Sequence, residues 1–162
     1  MKRVLVTGAS GFVGHHLVDH LLEEGLEVVA IDRHKAGSRP GVTSFAVDLT
    51  DAAAVRQLPL DSVDAIIHLA GLAAVGPSYN QPLEYLTVNS AIQINLFEAC
   101  LTQQTSPQWL IVSSGSLYRP DPLPVTESNT LIPSSPYAVS KLTQEQLSLY
   151  YQKRGFEVII AR

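Results

Sequence analysis

The chain is poor in anything that would fasten it covalently. Its 162 residues hold one cysteine, Cys100, so no intrachain disulfide can form. A lone thiol in an apolar helical stretch reads as core filling and fits a reducing compartment. An excess of positive charge is missing as well. Eleven Lys and Arg stand against fifteen Asp and Glu, a net −4, which is the wrong sign for a nucleic-acid footprint. Long apolar runs are also missing. Ala65–Leu83, a stretch without Asp, Glu, Lys or Arg, is interrupted by Gly71, Gly76, Pro77 and Pro82, so no membrane span is expected. The apolar residues after Met1-Lys2-Arg3 break off at Gly8, too soon for a signal peptide. The expectation from these absences is a cytoplasmic protein with no membrane partner. There is no internal repeat and no low-complexity tract. His15, His16 and His20 share one helical stretch without a set of metal partners, so no metal is expected.

What is present is an alternation. At this length one domain is expected, able to bury about 70% of its unfolded surface without a disulfide or a metal. Short apolar strands are predicted at Arg3–Thr7, Glu27–Asp32, Thr43–Val47, Asp64–Leu69, Trp109–Ser113 and Glu157–Ala161. Helical patterns separate most of them. One runs from about Gly11 to Glu24, with Val13, Leu17, Leu21, Val18 and Leu22 on one face and Gly25 as its stop. A short one, Ala52–Leu58, is capped by Thr50 or Asp51. A long one covers about Pro82–Thr102, with Leu86, Ile94, Leu96, Phe97 and Leu101 as burial candidates. The last runs from about Pro136 to Arg154 and ends at Gly155. Loops fill His34–Gly41, Ala70–Gln81 and Ser114–Ser135. This pattern predicts an α/β fold: a Rossmann-like, doubly wound parallel sheet of about six strands with helices on both faces, over residues 1–162.

The first strand runs into Thr7-Gly8-Ala9-Ser10-Gly11-Phe12-Val13-Gly14, three glycines three residues apart ahead of a helix. Gly8 suits a sharp turn, Gly11 lets the backbone approach phosphates, and Gly14 lets helix and strand pack closely. The N–H groups that open the helix then face an anion, with the positive end of the helix dipole behind them. Asp32, 18 residues beyond Gly14 at the end of the second strand, stands where a carboxylate meets an adenosine ribose. A carboxylate there favours NAD over NADP. The basic run Arg33, His34 and Lys35 argues for NADP, since arginine can stack on adenine or pair with a phosphate. NAD is the expected cofactor and NADP the alternative.

A second constellation opens the last helix: Tyr137-Ala138-Val139-Ser140-Lys141. Tyrosine and lysine four apart share a helical face. A phenol with its ordinary pKa near 10 is a poor proton exchanger at neutral pH, and a neighbouring cation favours its ionised form. A hydroxyl donor is available where the fifth strand ends, in Val112-Ser113-Ser114-Gly115-Ser116. Ligands of open α/β sheets sit at such carboxyl ends. Ser113 is expected to face the packing side, and His68 to be a packed structural histidine.

With these pieces in order, the chain resembles an extended short-chain dehydrogenase/reductase, the branch that works on nucleotide sugars. The resemblance rests on Thr7-Gly8-x-x-Gly11-x-x-Gly14, Asp48-Leu49, His68-Leu69-Ala70-Gly71, Asn89, Ser113-Ser114-Gly115-Ser116-Leu117-Tyr118 and Tyr137-x-x-x-Lys141. It implies that Gly8, Gly11, Phe12, Val13 and Gly14 hold a pyrophosphate, and that Asp32 and Arg33 meet the adenosine end. Asp48 and Leu49 would border the adenine, and Leu69, Ala70 and Gly71 the cofactor's middle. Asn89 would support the site. Ser114 would hydrogen-bond the reacting oxygen, Tyr137 would be the acid/base, and Lys141 would bind the nicotinamide ribose and lower the pKa of Tyr137.

The reaction class implied is hydride transfer at a sugar carbon. Gly115 and Ser116 stand where sugar dehydratases of this family carry an acidic pair, which leaves a 4-epimerase or a 4-keto-6-deoxyhexose reductase. Val75-Gly76-Pro77-Ser78-Tyr79 leans slightly toward the reductase. Family members run to about twice this length with a smaller C-terminal substrate domain, which is expected to be absent here. A non-catalytic dinucleotide-binding module, or an inactive fragment, is the competing reading. Self-association into a homodimer through the helices at 82–102 and 136–154 is a further expectation.

Overall fold

A computed structural model describes residues 2–34, 39–119 and 124–162. Lys35 of the basic run, and parts of the loops 34–41 and 114–135, lie outside the described residues. The strands are β1 (Arg3–Thr7), β2 (Glu27–Asp32), β3 (Val42–Ala46), β4 (Ala65–His68), β5 (Gln108–Val112) and β6 (Val158–Ala161). The helices are α1 (Phe12–Glu23), α2 (Ala52–Val55), α3 (Val75–Ser78), α4 (Pro82–Thr102) and α5 (Pro136–Lys153). The strands form one sheet in the order β3-β2-β1-β4-β5-β6, and every pairing is parallel. The order reverses between β1 and β4. There the chain leaves β1 in one direction and β4 in the other, and a crevice opens at their carboxyl ends.

Alternation along the strands sorts the core into two layers. Val4, Val6, Val28 and Ala30 meet α1 through Val18 and Leu21. Leu5, Val29, Ile31, Ile66, Trp109 and Ile111 face the other way, onto Ile92, Leu96, Phe97 and Cys100 of α4 and Tyr151 of α5. Cys100 is buried in that layer, as expected for a core filler.

Several local expectations are corrected. Val13 does not share the buried face of α1. It lies in the first turn, at the mouth of the crevice, and is largely exposed. The short helix α2 is capped by Asp51, which accepts from the amides of Ala53 and Ala54. It ends at Val55 rather than Leu58, because Gln57 and Leu58 donate to Ala54 and Val55, three residues back, in tighter turns. A 3-10 turn, Leu60–Ser62, follows. The loop expected at 70–81 contains α3. In α4, Leu86, Ile94 and Leu101 are only half-buried, while Asn89 and Gln93 are fully buried. That helix turns a partly polar face to α5, which periodicity in apolar residues does not reveal.

Candidate active site

The glycine turn has the geometry its spacing implies. Gly8 has φ +68°, a conformation that side chains resist. A Cβ on Gly8 would also stand 3.0 Å from the backbone nitrogen of Ala70. Gly14 is packed against the turn itself. The N-cap of α1 is Gly11, which offers no side chain to the first-turn amides. Those N–H groups need an acceptor from outside the helix, so Phe12 and Val13 present backbone donors at the crevice. Asp32 accepts from the amide of Ser10 at 3.1 Å and that of Arg33 at 2.7 Å. Partial burial works to raise its carboxyl, but the hydrogen bonds from Ser10 and Arg33 outweigh it, so the group lies below its ordinary value and is ionised at neutral pH.

Across the switch point, Thr7 organises the facing wall. Its hydroxyl accepts from the amides of Leu69 and Ala70, both at 3.1 Å, and lies 2.9 Å from Nδ1 of His68. His68 is fully buried. Burial, with Lys141 nearby, pushes its imidazole down to about 3, so it is neutral and structural. A Cβ on Gly71 would meet Oδ1 of Asn89 at 3.0 Å. Asn89 itself is fully enclosed. Its amide serves the backbone of Leu72, as acceptor and donor, and donates to Ser140 Oγ. It braces the crevice from behind. Asp48 is exposed and binds Thr50, while Leu49 is buried beside it.

The group expected from the sequence, Ser114, Tyr137 and Lys141, sits on the far side. Ser135 caps α5 by accepting from the amide of Ala138, and Pro136 occupies the first turn, where its missing N–H costs nothing. Tyr137 and Lys141 then project one turn apart. Both are buried, at 8% and 6% exposure, and Tyr137 meets Tyr85 edge-on, with ring centroids 6.5 Å apart. Lys141 Nζ donates to the carbonyl of Val112 at 3.0 Å. Burial pushes its pKa down to about 8. Ser114 stands two residues beyond Val112 and caps the 3-10 turn Gly115–Leu117, which packs against α5. The carboxyl end of β5 and the start of α5 thus bring Ser114, Tyr137 and Lys141 to one end of the sheet. A cleft of about 900 Å³ lies beside them, lined by Ser116, Tyr118, Glu127, Ser134 and Arg162 among others.

One supporting group lies outside the sequence motifs. Glu145, 2% exposed, takes a forked hydrogen bond from Arg162, two contacts of 2.8 Å, and accepts from Ser113 Oγ at 2.5 Å. Burial works to raise its carboxyl, but Arg162 and Ser113 together hold it below the ordinary value. Arg162 also donates to the Tyr118 hydroxyl at 2.8 Å. Glu145 follows Lys141 by four residues, so the helical period that pairs Tyr137 with Lys141 could have pointed to it. Ser113 faces inward, as alternation predicts. Among the described residues no three His, Cys, Asp or Glu side chains are placed to hold a metal ion, and no helix is long and apolar enough to cross a membrane.

A parallel sheet in this order, with a glycine turn at its switch point, defines the Rossmann-like class. Within that class the chain belongs to the NAD dependent epimerase/dehydratase family, whose model matches residues 4–162. It is 35% identical over 168 residues to the UDP-glucose 4-epimerase of Erwinia amylovora, a match covering 95% of this chain and 50% of the relative. Among solved structures it resembles the UDP-glucose 4-epimerase of Thermus thermophilus in complex with NAD, with a TM-score of 0.87, 36% identity, and coverage of 99% of this chain and 54% of that one. The UDP-Glc/GlcNAc 4-epimerase from Campylobacter jejuni superposes with a TM-score of 0.89 at 27% identity, covering 99% of this chain and 52% of that one. The chain spans about half the length of the relatives it matches.

Proposed function

We propose that residues 1–162 are the NAD-binding part of a nucleotide-sugar 4-epimerase, with Ser114, Tyr137 and Lys141 as its catalytic group. The observation that carries the reading is the hydrogen bond from Lys141 Nζ to the carbonyl of Val112, which sets the Tyr137 face of α5 against the end of β5. The relatives are named as UDP-sugar epimerases, and that supports the epimerase over the reductase alternative.

The residues present fit a dinucleotide. Gly8 and Gly14 let the turn fold tightly on its own backbone and on Ala70, with no room for a side chain, the first-turn amides of Phe12 and Val13 lack internal acceptors, and the ionised Asp32 suits a ribose with free hydroxyls. Arg33, Asp48 and Leu49 would border the adenine, and Leu69, Ala70 and Gly71 the middle of the cofactor, with Asn89 behind. The chemistry supplied by a bound NAD is reversible hydride acceptance at one sugar carbon. At that carbon's hydroxyl, Tyr137 Oη would take up the proton and later give it back. Ser114 donates a hydrogen bond to the same oxygen. Lys141, one helical turn from Tyr137 on the same face of α5, would hold the nicotinamide ribose. The sugar nucleotide is bound against the cleft beside Ser116 and Glu127.

Calorimetric titration of the chain with NAD and with NADP tests the cofactor assignment. Saturable NAD binding that weakens in Asp32→Ala is expected, and tighter binding of NADP overturns it. For the chemistry, Tyr137→Phe in the full-length protein should abolish interconversion of UDP-glucose. Unchanged turnover rules the mechanism out.

A further inference from the structure

We infer that Ser116 is a positioning residue that makes Ser114 a one-way hydrogen-bond donor. This rests on the reading that Ser114 meets the reacting oxygen. Ser114 Oγ accepts from the backbone N–H of Ser116 at 3.1 Å, and the two side-chain oxygens lie 2.8 Å apart. A hydroxyl has one proton and two lone pairs. One lone pair of Ser114 is already taken by the Ser116 amide. The direction of the 2.8 Å contact decides what remains.

If Ser114 donated to Ser116, its only proton would be used, and it could offer the sugar nothing but an acceptor. If Ser116 donates to Ser114, both lone pairs of Ser114 are filled and its proton is left for the ligand. During the reaction the sugar oxygen loses its own proton, so it must be met by a donor. A bound substrate therefore selects the second direction, and the hydroxyls form a chain from Ser116 to Ser114 to the reacting oxygen. Each bond in such a chain polarises the next. Ser116 is exposed, so its own lone pairs remain hydrated and the arrangement leaves no buried group unpaired. Position 116 is one where an acidic residue would reverse the chain, because a carboxylate can only accept.

The test uses the full-length protein and UDP-glucose turnover. Ser116→Ala keeps the backbone N–H that caps the turn and removes only the hydroxyl. The expected result is a kcat lowered about 3- to 10-fold, the range of one neutral hydrogen bond, with KM changed less than about twofold and Tm within about 2 °C. Ser116→Thr restores the hydroxyl and should restore kcat. Ser114→Ala should lower kcat further, and adding Ser116→Ala to it should lower it no more, because the second residue acts through the first. An unchanged kcat in Ser116→Ala, or losses that multiply in the double variant, overturns the inference while leaving Ser114 in place. An inert Ser114→Ala, or no turnover by the wild type, instead overturns the functional reading beneath it.

Discussion

A Cβ placed on Gly14 would stand 2.1 Å from the carbonyl oxygen of Gly8. No side chain fits that gap, and the obstacle is backbone, not a flexible side-chain end. Gly14→Ala must therefore push α1 away from the end of β1. The expected cost is at least about 2 kcal/mol in chemical denaturation, with loss of NAD binding because the first-turn amides move. Gly76→Ala is the control, since nothing lies within 4 Å of its added methyl. Equal stability of the two variants would refute the argument.

Thr7 holds the opposite wall of the crevice through one oxygen. Thr7→Val keeps the shape and leaves the amides of Leu69 and Ala70 without that acceptor. A buried donor stripped of its partner costs about 1–3 kcal/mol, so a loss of about 2–4 kcal/mol is expected for the two amides together, with weaker NAD binding. Thr7→Ser keeps the oxygen and should lose less than about 1.5 kcal/mol. Denaturant midpoints decide between them. Valine and serine variants of equal stability would show that the two amides do not depend on this oxygen.

Lys141 gives stability a pH dependence on the alkaline side. The unfolded chain holds this proton up to the usual value of 10.5, the folded chain only to about 8. Between those values the unfolded state binds more protons, so folding becomes more favourable as pH rises. Below about pH 8 the folded protein carries the cost of a buried charge in full. Lys141→Met removes the titration. The wild type should therefore gain stability relative to Lys141→Met between about pH 8 and pH 10, and the difference should be level below. A difference that stays level throughout this span would show that the amine is not desolvated.

Glu145 ties the ends of β5 and β6 to α5 with one carboxylate. Glu145→Gln keeps the size but replaces the forked contact with Arg162. Arg162 is partly exposed, so the expected loss is about 1–3 kcal/mol, below that of a fully buried pair. In full-length protein the variant should also lower kcat, because Ser113 precedes Ser114 and its carboxylate partner becomes a neutral amide oxygen, a weaker acceptor. Denaturation and steady-state rates both read the effect, and full stability with full activity would remove Glu145 from the supporting structure.

Strand periods, the three glycines and the cap at Asp51 act over a few residues, so β1, α1 and the start of α2 are legible directly in the chain. Tyr137 and Lys141 are legible because one helical turn joins them. Pairings between groups that lie far apart in sequence are not. Glu145 meets Ser113 and Arg162, Thr7 meets the amides of Leu69 and Ala70, and Asn89 meets Leu72 and Ser140. No local pattern encodes such pairs, since folding alone brings them together. The same limit hides the buried face of α4, where polar Asn89 and Gln93 are enclosed because α5 supplies their partners.

Trp109 is the sole tryptophan. It is fully enclosed, stacked on Phe97 with ring centroids 3.9 Å apart, and paired in register with Ile66 and Val158. The protein thus carries a single optical gauge, fixed in one of its two layers. Its emission reports when β4, β5, β6 and α4 come apart, and it is blind to α1 and the glycine turn on the other side of the sheet. A melt followed by this one indole would look like a single step even if the turn loosened first. Far-ultraviolet circular dichroism, or a second indole introduced on α1, is needed to learn whether the two sides let go together.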